Sequence, residues 1–260
     1  MPKIIVGNWK CNPNSLKKAK ELLFSLKKRL KNIKIKKTKI VICPPFLYLK
    51  DAQEILNPLK SSNIMIGAQD CFWENEGAFT GEISPQMLKD IGCSFVILGH
   101  SERRKFLKES DRMITKKIVK ALKNNLHPIL CVGETLEEKE KNLTFKIIEK
   151  ELRNAFQKVP KRYIEKVIIA YEPIWAIGSG RPCSPNEALV MSLFIKKVIL
   201  KLLNRKTTKN IKIKILYGGS VNSQNAKGYL SQQNINGLLV GGASLNPDEF
   251  AKIIKEGEGI

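Results

Sequence analysis

The sequence predicts an α/β protein: a single-domain, closed (β/α)8 barrel over residues 1–260, with eight parallel strands inside a ring of helices. Eight short apolar runs recur along the chain, each followed by helical periodicity, at intervals of roughly 25 to 45 residues. Strict alternation of this kind implies a parallel sheet, because each crossover must return to the same end of it. No dinucleotide-binding glycine fingerprint accompanies the pattern, which favours closure over an open doubly wound sheet.

The elements follow in order. Lys3 to Trp9 is the first apolar run, and Pro13-Asn14-Ser15 leads into a helix to about Leu30. Lys39 to Cys43 is the second strand, closed by Pro44-Pro45, with a helix from Leu47 to about Leu56. Ile64 to Ala68 is the third, and Ser84 starts a short helix. Phe95 to Leu98 is followed by helical residues from about Asp111 to Asn124, and Pro128 to Val132 by a helix through Leu143 to Phe156. Val167 to Tyr171 precedes the helix from Pro185 to Leu203. Ile211 to Leu216 and Gly237 to Val240 complete the set, each with a short helical stretch behind it.

Composition narrows the function classes. Hydrophobic content of 43% supplies a core, yet no segment reaches the roughly 18 to 20 apolar residues of a membrane span. The start, MPKIIVGNWK, lacks a signal-peptide layout, so a soluble cytoplasmic protein without membrane partners is expected. The net charge of +22 raises nucleic-acid binding as a reading. The lysines, however, are interleaved with core positions in helical stretches, and no aromatics alternate with them. We therefore expect solvated helix faces and no nucleic-acid partner. None of the six cysteines forms a C-x-x-C pair, and with two histidines no metal-ligand cluster is expected. The cysteines read as small buried thiols in a reducing compartment.

The chemistry concentrates at the strand ends, where a barrel of this kind carries its site. Asn8 and Lys10 end strand one, His100 ends strand four and Glu172 ends strand six. Gly218-Gly219-Ser220 follows strand seven and Gly241-Gly242 follows strand eight, so every candidate falls on one rim. After Glu172 comes Pro173 and then Ile174-Trp175-Ala176-Ile177-Gly178-Ser179-Gly180, too apolar for a solvated loop. A lid that closes over a bound ligand accounts for it, excluding water from Glu172 by covering it with Ile174, Trp175 and Ile177.

These segments, together with Gly67-Ala68-Gln69, Gly77 to Glu82, Gly99-His100-Ser101-Glu102-Arg103-Arg104, Cys131-Val132-Gly133-Glu134 and Leu239 to Ser244, resemble the triosephosphate isomerase family in its own order. Lid closure is best known from that same family. The resemblance implies a homodimer through the Gln69–Ile83 loop, which carries Phe72, Trp73 and Phe79 and is long for a compact domain. It also implies interconversion of dihydroxyacetone phosphate and D-glyceraldehyde 3-phosphate through an enediolate, as in glycolysis and gluconeogenesis, with no metal, nucleotide or redox cofactor. Glu172 is then the base that moves the proton, and neutral His100 donates to the substrate oxygens. Lys10 stabilises the enediolate charge, and Asn8 bonds substrate oxygens or orients Lys10. Glu102 is read as positioning Lys10 or a nearby backbone group. Backbone N–H groups of Gly178, Ser220, Gly241 and Gly242 would hold the phosphate. His127, beside Pro128, is read as a core histidine bonded to backbone. The chain departs from the family at Arg181-Pro182-Cys183, where Pro182 stiffens the trailing hinge of the lid. A barrel enzyme for a larger sugar phosphate and a basic nucleic-acid-binding barrel are the competing readings.

Overall fold

The computed structural model describes residues 2–59, 63–205 and 212–260; Ile211, expected in the seventh strand, lies outside them. Eight parallel strands close a barrel in sequence order: β1 (Lys3–Asn8), β2 (Thr38–Cys43), β3 (Ile64–Ala68), β4 (Phe95–Leu98), β5 (His127–Val132), β6 (Ile168–Tyr171), β7 (Lys214–Tyr217) and β8 (Gly237–Val240). The last strand pairs with the first, Val240 opposite Gly7, so the sheet has no edge left to protect.

The strand period of two divides each run between two cores. Val6, Val41, Ile97, Ile129, Ala170, Leu216 and Leu239 fill the barrel interior. Their neighbours, among them Ile5, Ile42, Leu98, Leu130, Ile169 and Leu238, pack outwards under the helices. Both sets are excluded from water, which is why the strands read as near-continuous apolar runs. Each such Ile or Leu contributes roughly 1.5–3 kcal/mol relative to exposure. Gly237 is required where β8 meets β1, because a Cβ there would lie 1.8 Å from the Ile4 carbonyl oxygen.

The helices are α1 (Leu16–Lys31), α2 (Leu49–Leu56), α3 (Pro85–Asp90), α4 (Ser101–Phe106), α5 (Asp111–Lys123), α6 (Leu136–Glu140), α7 (Thr144–Phe156), α8 (Lys161–Ile164), α9 (Pro185–Leu203), α10 (Ala226–Leu230) and α11 (Pro247–Glu258). Local chemistry sets their starts. Thr135 with Glu138 and Ser184 with Glu187 form capping boxes on α6 and α9, and Pro185 stands at the first turn of α9. Asn246 caps α11 by accepting from Asp248 and Glu249 N–H. The short α4, α6 and α8 lack a sustained apolar period, so the sequence pattern merges them into loops.

Three expectations change. Trp9 lies past the end of β1, although it is fully buried. His127 is no core residue: it is exposed at the first position of β5, its ring 5.3 Å from that of Phe95. At that position the barrel opens to water, so the imidazole is only partly covered, with Phe95 beside it. Five cysteines are buried thiols as read, whereas Cys11 is exposed.

Candidate active site

Barrel closure carries the ends of β1, β4, β6, β7 and β8 to one rim, around a cavity of about 200 Å3. Asn8, Lys10, His100, Glu172, Gly178, Ser220, Gly241 and Gly242 all line it, with Ile177 from the lid. The structure thus brings every candidate from the sequence into one place. A larger groove of about 700 Å3, between α5 and α7, contains none of them.

Glu172 sits one residue past β6, 2% exposed. Two glycines make room for it. A Cβ on Gly133 would fall 1.7 Å from the Glu172 carbonyl oxygen, and one on Gly218 2.9 Å from its Cγ. The carboxylate faces two donors. His100 Nε2 lies 3.2 Å from Oε1, and Ser101 N–H donates to Oε2 at 3.4 Å.

His100 caps α4, and its Nδ1 accepts the Glu102 N–H at 3.2 Å. A nitrogen that accepts cannot carry the ring proton, so the imidazole is neutral with its proton on Nε2. The same residue that fixes this tautomer also holds the cation, since Lys10 Nζ lies 2.5 Å from Glu102 Oε1. Lys10 adopts φ +54, a conformation disfavoured for a residue with a side chain. Asn8 Oδ1 accepts the Lys10 N–H at 3.0 Å, and Gln69 Nε2 donates to the Lys10 carbonyl at 2.8 Å. These bonds hold the strained turn that aims the ammonium into the cavity.

The lid is fastened at both ends by groups that sequence reasoning left without roles. Trp175 Nε1 donates to Glu134 Oε1 at 2.7 Å, and Tyr171 Oη donates to the same carboxylate at 3.2 Å. Burial pushes the Glu134 carboxyl above its ordinary range, while the bonds from Trp175 and Tyr171 oppose that shift. Trp175 therefore turns away from the cavity, contrary to expectation. Ile177 lines the cavity, while Ile174 packs behind Glu172 beside Gly133. At the trailing end Cys183 N–H donates to Tyr217 Oη at 3.2 Å, and Tyr229 Oη donates to the Cys183 carbonyl. Between these anchors Gly178 and Gly180 take φ +65 and +67, where only glycine is unstrained.

Gly178, Ser220, Gly241 and Gly242 direct no backbone N–H to a protein acceptor among the described residues. Gly242 opens a short helical turn to Leu245. Backbone donors grouped at a helical start suit an anion. Among the described residues no His, Cys, Asp and Glu group has metal-site geometry. No helix among them is long and apolar enough to cross a membrane.

Behind the site, Arg104 and Glu151 tie two strand ends together. Arg104 Nε donates to the Gly99 carbonyl at 2.8 Å, and Glu151 Oε2 accepts the Gly133 N–H at 2.9 Å. Arg104 and Gly133 lay in the Gly99–Arg104 and Cys131–Glu134 segments, while no signal in the sequence marked Glu151.

Comparison with known proteins gives a consistent picture. The family model described as triosephosphate isomerase matches residues 3–257. A triosephosphate isomerase of Aquifex aeolicus (strain VF5) is 46% identical over 98% of this chain and 99% of its own length. That of Alkaliphilus oremlandii (strain OhILAs) is 45% identical over 96% and 98%, and that of Geotalea uraniireducens (strain Rf4) 44% over 98% of each.

Burial raises the Glu151 carboxyl from 4.5 to about 7, against the opposing pull of Arg104. The native state therefore keeps a proton that the unfolded chain releases between these values. Stability falls as pH rises through that window. Glu151→Gln retains an acceptor for the Gly133 N–H and removes the titration. Urea melts from pH 4.5 to 7 are expected to show a shallower decline in the variant than in the wild type.

Proposed function

The chain belongs to the triosephosphate isomerase family and interconverts dihydroxyacetone phosphate and D-glyceraldehyde 3-phosphate, and on that premise we propose how its own residues divide the work. Glu172 removes a proton from C1 of dihydroxyacetone phosphate and returns it to C2 of the enediolate. His100, neutral, donates from Nε2 to the substrate oxygens and passes protons between them. Lys10 supplies a fixed positive charge where the enediolate oxygens become negative, with no reorganisation during the reaction. Asn8 orients Lys10, as its 3.0 Å bond to the Lys10 N–H supports. Gly178, Ser220, Gly241 and Gly242 hold the phosphate.

One observation carries this reading. A buried carboxylate and a neutral imidazole stand 3.2 Å apart in a cavity that also receives an ammonium. Its volume of about 200 Å3 suits a three-carbon phosphate, being smaller than the roughly 300–1,000 Å3 typical of drug-sized ligand pockets. That size favours a triose phosphate over a larger sugar phosphate. No metal or organic cofactor enters the scheme.

The chain works as one domain over residues 1–260, in the cytoplasm, and pairs with a second copy through the Gln69–Ile83 loop. Support comes from the loop itself. Phe72 is buried against Phe79, the ring centroids 4.8 Å apart, while Phe79 is 42% exposed. Leu47 and Met87 expose still more apolar surface, 83% and 53%. The base of the loop is held rigidly, because Asp70 is paired with buried Lys117 and with Arg103, each at 2.7 Å. Nucleic acid and membranes are not among its partners. Lys20, Lys120, Lys139 and Lys141 each meet a carboxylate.

Two outcomes follow. In a coupled assay with dihydroxyacetone phosphate, Glu172→Ala is expected to lower kcat/KM by roughly 10^2- to 10^4-fold; turnover close to wild type would refute the assigned base. Sedimentation should give a particle of two chains, and a single-chain mass at micromolar concentration would remove the docked loop.

A further inference from the structure

The mouth of the barrel opposite the catalytic rim is lined by cations. Val41, Ile129 and Leu216 point inwards, so the strand period also turns Lys39, His127 and Lys214, two residues earlier, towards the barrel axis. Together with Phe95, Ile168 and Lys166 they line a cavity of about 220 Å3. Among the described residues no carboxylate pairs with Lys39, Lys214 or His127. The acid on the lining is Glu165, whose Oε1 already accepts from Arg205 at 3.0 Å and from the Lys212 N–H at 2.9 Å.

This arrangement is costly for an end of the barrel that ordinarily serves stability alone. Apolar side chains at these three positions would extend the interior core without repulsion. Instead the groups disfavour one another's charge. Burial and then Lys39 lower the proton affinity of Lys214. His127 is lowered by burial first, and then by Lys214, Lys39, Lys89 and Lys166. A multivalent anion between them would turn repulsion into attraction.

We propose that the N-terminal mouth of the barrel binds a small multivalent oxyanion of the sulfate or phosphate class, held between Lys39, Lys214 and His127. It is a second anion site, at the opposite end of the barrel from the catalytic phosphate site. The cavity has room for a tetrahedral anion, with Phe95 and Ile168 as its apolar floor. Binding favours the charged forms of His127 and Lys214, so it takes up protons and stabilises the fold.

The chain has two histidines, and His100 and His127 report on the two mouths separately in a proton–carbon correlation spectrum. Sodium sulfate, compared with sodium chloride at equal ionic strength so that screening cancels, is expected to raise the His127 titration midpoint by about 1 unit. Inorganic phosphate should do the same. In a Lys39→Met/Lys214→Met double variant the sulfate-specific rise should vanish, with turnover unchanged. A wild-type His127 midpoint that moves equally in sulfate and chloride would overturn the assignment without any variant. A sulfate-specific rise that survives in the double variant would overturn it as well.

Discussion

Glu102 is the joint on which the catalytic rim depends. Its carboxylate holds Lys10 Nζ at 2.5 Å, and its backbone N–H sets the tautomer of His100. Both partners of the ion pair are partly exposed, 27% and 42%, so the contact adds little stability of its own. What it supplies is position. The end of β1 and the start of α4 are 92 residues apart in sequence, and this bond ties the ammonium to the helix start that also holds the imidazole. Lys10 can meet it because the backbone there accepts a left-handed conformation held by Asn8 and Gln69.

Around that joint the fold removes water and fixes distances. Glu172 is pressed between Gly133 and Gly218, where even a methyl group would collide. Gly133 fixes the backbone and Gly218 leaves the side chain little room, which suits the proposed role as a base for two adjacent carbons. The lid adds a second constraint. Glu134 holds its leading end through Trp175, while Tyr217 and Tyr229 grip Cys183 at its trailing end. Between these anchors lies the glycine-rich middle, next to the N–H groups proposed to hold the phosphate. An anion bound there would contact the mobile part of the lid directly, which links phosphate binding to closure.

Much of this was legible in the chain. The eight apolar runs marked the strands because both faces of each strand are buried, and the rim followed from where those runs stop. Glu172, His100 and Lys10 stood out as candidates because each falls at a strand end, Glu172 before an apolar segment, Lys10 after Trp9 and His100 before a helical start, and the structure lines one cavity with all three. Other parts were hidden for physical reasons. Trp175 looked like a cover for the carboxylate, but its indole N–H needs an acceptor, and only the folded barrel brings Glu134 within 2.7 Å. Glu151 sits on α7, 18 residues from the Gly133 N–H that it accepts, a relation no local pattern encodes. His127 looked buried because it opens an apolar strand, whereas the outermost layer of a barrel faces water. The inward cations Lys39 and Lys214 became visible only once the register was known, since a shift of one residue would have turned both outwards.

The central claim is that His100 works as a neutral donor, its proton kept on Nε2 by the Glu102 N–H. Nitrogen-15 spectroscopy of the imidazoles at neutral pH tests it most directly, with a His127→Asn variant leaving His100 alone in the spectrum. The account predicts an unprotonated, hydrogen-bonded Nδ1 and a protonated Nε2. A proton on Nδ1, whether in the opposite tautomer or in an imidazolium, would contradict it.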